Sequence, residues 1–269
     1  MALNHKQALD LLNSRSLVTS IEQDLTRLIR RGISASPGGS DEVTAQILRN
    51  ILSRWNCALF APDDEVTPSQ KNLTIVVLTL LLHKYGFQEQ SLTSKAHQAI
   101  DSINNDILLD DQFFRKTSDL KELLSSPPVL RSRKPTRPAD VTFWRAGDLA
   151  TYQVGETFYA LYIHGLVGVK EAPIVEFFDI ALSRRPAQGD ILGQKMRGVS
   201  FNDGVIRAQR YIVFGMRDMP DPANQFHLLG NVPHFKPDHT QLAPSIGIGV
   251  VTDIFRLADE VREKLFTEE

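Results

Sequence analysis

Between Ser125 and Asp140 the chain reads SSPPVLRSRKPTRPAD, with four prolines and four basic residues. Proline donates no backbone hydrogen bond and holds its predecessor extended, so no helix crosses this stretch. The hydrophobic period changes across it. Upstream, apolar residues recur at helical intervals. Downstream, short apolar runs are punctuated by glycine. The division predicts a helical unit over residues 1–125, a Pro/Arg linker over 126–140 and a β-rich unit over 141–269. The expected class is α+β: an N-terminal helical unit, then an antiparallel β-rich barrel or curved sheet sealed by a C-terminal helix. Arg131, Arg133, Lys134 and Arg137 in the linker would otherwise serve as a basic arm toward an acidic partner.

In the first unit, Ala8, Leu11, Leu12, Leu17, Val18, Ile21, Leu25, Leu28 and Ile29 mark one helix or two, with a break near Asn13-Ser14 and a stop at Gly32. Ser40 or Asp41 caps the next helix. Its stripe is Val43, Ile47, Leu48, Ile51, Leu52 and Trp55, with Arg49 and Arg54 on a solvated face. Pro68-Ser69 opens a helix over Gln70–Tyr85 that is apolar nearly all round, which predicts the centre of the unit. Further helical pattern covers about Thr93–Ile107 and Asp111–Leu124.

In the second unit, Leu149–Val154 and Phe158–Ile163 read as a hairpin about Gly155-Glu156. Gly165 and Gly168 mark the next turn. Ile174–Asp179 (IVEFFD) alternates imperfectly, so a strand covered on both faces fits as well as a half-exposed one. Val199–Arg207 is a hairpin about Asn202-Asp203-Gly204, and Tyr211–Met216 and Phe226–Leu229 are strands. Residues 230–249 read as irregular. A final helix from about Val250 buries Val250, Ile254, Leu257, Ala258, Val261 and Leu265.

The 269 residues carry a net charge of −2, without the basic balance that nucleic-acid binding usually brings. The single cysteine, Cys57, forms no intramolecular disulfide and sits in an apolar stretch as a small buried hydrophobe. The longest apolar run, Leu73–Leu82, is about half of what spans a bilayer. The first residues lack the apolar core of a signal peptide. The expected location is the cytoplasm, away from the membrane.

Chemistry-bearing motifs are sparse. Asp63-Asp64-Glu65 lacks the glycine and downstream glutamate of a calcium loop. His234 and His239, with His227 nearby, supply fewer ligands than zinc requires. Gly247-Ile248-Gly249 lacks the third glycine of a dinucleotide fingerprint and has no P-loop lysine. No nucleophile motif is present. Neither a cofactor, a metal nor a catalytic residue is expected.

Aromatic residues concentrate in the β-rich unit among acids. Exposed Tyr and Trp beside carboxylates suit a protein-binding face, because they bury large area at low entropic cost. The candidate face is Trp144, Asp148, Tyr152, Glu156, Tyr159, Tyr162, Glu171, Glu176 and Asp179.

At FWRAGDLATYQVGETFYALYI the chain resembles a β-rich immunity-protein family of bacterial polymorphic toxin systems, of the contact-dependent growth inhibition type. The matching residues are Trp144, Gly147, Asp148, Tyr152, Gly155, Phe158 and Tyr159, with Tyr211–Asn224 also compatible. The resemblance covers about a third of the chain and leaves the helical half without a counterpart. It implies a cytoplasmic protein that neutralises a cognate toxin domain by stoichiometric binding. Two alternatives stay open. One is a nucleic-acid-binding or processing protein using the basic linker. The other is an enzyme with a site at the junction of the units, for which Arg184, Arg185, His164 and Asp148 are starting candidates. The sequence defines no oligomeric state.

Overall fold

The computed structural model describes residues 3–35, 41–107, 109–128, 135–138, 141–169, 171–247 and 249–266. Arg131, Arg133 and Lys134 of the linker, and the candidate cap Ser40, lie outside the described residues. The chain forms two compact units, Met1–Leu52 with Ala58–Pro138 and Ser53–Cys57 with Ala139–Glu269.

The first unit contains α1 (His5–Leu11), α2 (Arg15–Ala35), most of α3 (Asp41–Leu59), α4 (Pro68–Lys84), α5 (Gln90–Asn105) and α6 (Asp111–Ser125). Local chemistry sets the starts. Asn4 and Gln7 form a capping box on α1, Thr67 caps α4 with Pro68 in its first turn, and Glu89 and Asp110 cap α5 and α6. Asn13, at φ 49, breaks α1 from α2. The expected stop at Gly32 does not occur, since α2 continues to Ala35. A Cβ at Gly32 would lie 2.8 Å from the Val43 side chain, so this glycine serves close helix packing instead. Val76 through His83 of α4 are all buried, as its all-round apolar sequence predicts.

A histidine pair ties α1 to α4. His83 Nε2 lies 2.8 Å from the Ser126 carbonyl, which only accepts, so that nitrogen carries the hydrogen. His83 Nδ1 therefore accepts from His5 Nε2, also at 2.8 Å. The pair has no room for a proton on every ring nitrogen. Burial, then His83, then Lys84 lower the His5 pKa from its ordinary 6.5 to about 4. A group depressed in the folded state contributes fully above its unfolded pKa, and that contribution is lost as pH falls through the folded one. Stability is thus expected to fall between pH 6.5 and 4, flattening in His5→Gln. Urea unfolding followed across that range checks it.

The second unit contains β1 (Asp148–Val154), β2 (Thr157–Val167), β3 (Ala172–Leu182), β4 (Gly198–Ser200), β5 (Ile206–Ala208), β6 (Tyr211–Phe214), β7 (Phe226–Asn231) and β8 (Val250–Asp253). The short α7 (Gln188–Ile191), α8 (Ile254–Glu260) and a π-helical turn, Val261–Leu265, complete it. Six strands form one sheet in the order β7-β1-β2-β3-β6-β8, and β4-β5 pair separately. The antiparallel expectation needs correction, because β8 runs parallel to β6 and the sheet is mixed. The final helix also starts later than expected. Val250–Asp253, with its β-branched residues, pairs with β6, and the Asp253 carboxylate then caps α8 by accepting from the Phe255 and Arg256 amides. Likewise Gly165 lies inside β2, and the turn comes at Gly168.

Both faces of β3 are buried, which explains its imperfect alternation. Phe177 joins Tyr152 and Tyr211 in ring contacts on one side, where Tyr152 also stacks on Phe226 with centroids 4.6 Å apart. Phe178 packs on the other with Leu149, Ala160, Tyr162, Ile191 and Met196. Arg54 of α3, expected on a solvated face, is 7% exposed and groups with this unit. It meets Asp221 through two hydrogen bonds of 2.8 and 3.1 Å and Gln225 at 2.9 Å, which offsets its desolvation. Cys57 is buried as expected, and burial pushes its thiol up to about 11. Among the described residues no helix is long and apolar enough to cross a membrane.

Candidate functional site

The residues expected to share a binding face separate in the structure. Trp144, Tyr152, Tyr159 and Tyr162 are all core. Trp144 meets Phe226 edge-on, Tyr159 packs on Phe266, and Tyr162 packs edge-on against His164 and Phe235. Asp148 is buried and structural. It accepts from the Arg145 amide at 2.8 Å and from Asn231 Nδ2 at 2.7 Å. Beside it Gly147 sits at φ +88, where a Cβ would lie 2.7 Å from the Pro233 backbone. Glu156 and Glu171 are exposed at opposite ends of β2. At roughly 3.3 Å per residue, that strand separates them by about 35 Å. Asp179 pairs with Arg197 at 2.8 Å. The correction is physical: two covered sheet faces consume the aromatic side chains, leaving none of these four for an exposed surface.

Glu176, the remaining candidate, centres a different arrangement. Its side chain is 0% exposed, on the middle of β3. His164 Nε2 donates to Oε2 at 2.6 Å and His239 Nε2 donates to Oε1 at 2.8 Å. Arg210 Nε stands 3.6 Å from Oε2. Each partner is delivered by a different device. On β2, Ile163 pairs with Val175 and Gly165 with Ile174, so His164 is the unpaired residue of a β-bulge. Bulges re-aim side chains in this way. Arg210 immediately precedes β6, the other neighbour of β3. His239 comes from the irregular segment after β7. That segment is pinned by Phe235 against Tyr162 and Phe178, and by the Met196 amide donating to the Asp238 carbonyl.

Burial pushes the Glu176 carboxyl up, but the two histidine hydrogen bonds and their charge interactions prevail, and its pKa lies below the ordinary 4.5. An ionised carboxylate only accepts, so both Nε2 atoms carry hydrogen. The Nδ1 atom of each ring lies on the side away from the glutamate. The side chains are 16% exposed for His164 and 32% for His239, so small molecules in solution can reach them. A carboxylate that fixes a histidine tautomer and stabilises its imidazolium is an arrangement suited to proton transfer.

Other candidates resolve differently. His227 lies 2.8 Å from both Arg185 and the Asn224 carbonyl, apart from the Glu176 cluster. Asp63 pairs with Lys71 at 2.6 Å. Among the described residues no group of three or more His, Cys, Asp or Glu is arranged to hold a metal ion. Arg210 carried no signal in the sequence. Glu176 did, as the one charge inside the apolar run Ile174–Phe178. No family model, curated protein or solved structure matches the chain.

Replacing Glu176 with glutamine puts an amide N–H against a histidine N–H. Glu176→Gln is expected to destabilise the second unit by roughly 3 kcal/mol, read from chemical denaturation at pH 7. The folded-state pKa is depressed, so the wild-type contribution is present above the unfolded-state value and is lost as pH falls through the folded one. The difference between the two proteins should therefore narrow in acid.

Proposed function

We propose that the chain is a binding protein that neutralises a cognate toxin domain by covering it, without turnover. The observation that carries this reading is the outer face of the segment leading into β1. From residue 141 to 145 exposure alternates, with Thr142 and Trp144 buried. Val141 and Phe143 are 51% and 58% exposed, and Arg145 follows them. An ordered backbone that presents an aromatic anchor beside an arginine has the composition of an interface hot spot. The same segment carries Trp144, Gly147 and Asp148, on which the resemblance to immunity proteins rests. Glu156 and Glu171 remain exposed and suited to steering a basic partner, whereas the buried Asp148 and Glu176 are not.

The test is co-expression with the C-terminal region encoded by the reading frame immediately upstream, followed by purification through a tag on this chain. A one-to-one complex that suppresses toxicity is expected. Phe143→Ala should weaken it by about 10- to 100-fold, as a hot-spot truncation does. Recovery of no complex, or of one indifferent to Phe143→Ala and Arg145→Ala, would remove the proposal.

A second reading, that of an enzyme, draws on the Glu176 cluster alone. It places His164 or His239 as a general base oriented by the glutamate. Its signature would be a turnover with a pH profile governed by one imidazole, lost in His239→Gln while toxin binding is retained. Kinetics of His164→Gln and His239→Gln side by side identify the base, and a turnover unaffected by either would remove this reading.

A further inference from the structure

The second unit contains a cleft of about 470 Å³, walled by the β4–β5 hairpin, β8 and the end of the C-terminal helix. We propose that it is a binding site for a compact, uncharged, largely apolar ring compound that carries a hydrogen-bond donor. The proposal is independent of the toxin-binding reading and uses none of its residues.

The floor of the cleft holds two polar side chains with unused capacity. Tyr211 is 1% exposed and lines the cleft, yet among the described residues its hydroxyl has no hydrogen-bond partner. Gln209 is 9% exposed, and its Nε2 donates to the Arg210 carbonyl at 2.9 Å. Its Oε1 receives no hydrogen bond from a described residue. Neither oxygen is sealed from solvent, so both are open to a molecule in the cleft. A ligand N–H or O–H reaching this floor would satisfy them.

The rim argues for neutrality. Asp203 is held by both terminal nitrogens of Arg207, at 2.7 and 2.8 Å, and Glu260 by Lys264 at 2.9 Å. Each charge already has its counter-ion, so the rim offers no net charge to attract an ion. The walls argue for an apolar body. Val199, Phe201 and Val250 line them, together with Ile246, which is 67% exposed. The volume lies within the range of small-molecule sites, which combine apolar walls with a few convergent polar groups. Glu260 immediately precedes the π-helical turn Val261–Leu265, and Lys264 lies within it. Such turns are rare and concentrate at functional sites.

Indole and 1-methylindole test the idea, because they differ by one N–H donor. Titration of each into the intact protein at pH 7, followed by ligand-observed NMR, should give binding of both, with indole tighter. Tyr211→Phe should weaken indole about three- to ten-fold, as loss of one hydrogen bond does, and leave 1-methylindole unchanged. Val199→Trp, which fills the cleft, should abolish both. Absence of binding by the intact protein would overturn the proposal. So would equal weakening of the two probes by Tyr211→Phe. Should that variant not fold, Gln209→Met is judged by the same comparison of probes.

Discussion

An ionised carboxylate removed from water costs several kcal/mol unless its oxygens are met by donors. Glu176 imposes that constraint on the second unit. Both of its oxygens are engaged, by histidines from segments 12 and 63 residues away, with Arg210 at the edge. Much of the local geometry follows. The bulge in β2 exists where His164 must turn toward the glutamate. The segment after β7, irregular by pattern, is held over the sheet because His239 and Phe235 both find partners there. An apolar residue at position 176 would leave two buried-facing N–H groups and little reason for the bulge.

The surrounding packing is equally demanding. β3 is covered on both faces, and successive residues Phe177 and Phe178 serve different clusters. A unit of modest size that builds two apolar layers around one sheet uses most of its aromatic side chains as core. This is why Tyr152, Tyr159 and Tyr162, which as residue types suit an interface, are instead filling volume. Surfaces able to meet another molecule are left at the margins: the segment before β1, where alternation turns Phe143 outward, and the cleft beside β8. Tyr211 takes part in both worlds. Its ring belongs to the core with Phe177, while its hydroxyl reaches the cleft, where burial and then Glu260 push its pKa up.

The first unit follows simpler rules. Its helices start at side-chain caps, and α4 supplies an apolar cylinder for neighbours to pack on. Its polar interior is the exception. At the His5–His83 contact, burial, then His83 and Lys84, oppose a charge on His5. This contact places a titrating group at the attachment of α1 to α4.

Much of this architecture was legible in the chain itself. Proline chemistry between Ser125 and Asp140, helical periodicity before it and glycine-bounded runs after it determined the class and, among the described residues, seven of the eight strands or their hairpins, because those signals act between neighbours in sequence. The tertiary structure decided what depends on distant partners. It made Val250–Asp253 a strand, since β6 was there to pair with it. It buried Arg54 on Asp221. It gathered His164, Glu176, Arg210 and His239, and dispersed the acids expected to act together. Local pattern records which face of an element is apolar. It does not record what lies opposite, and hydrogen bonding and burial are set there.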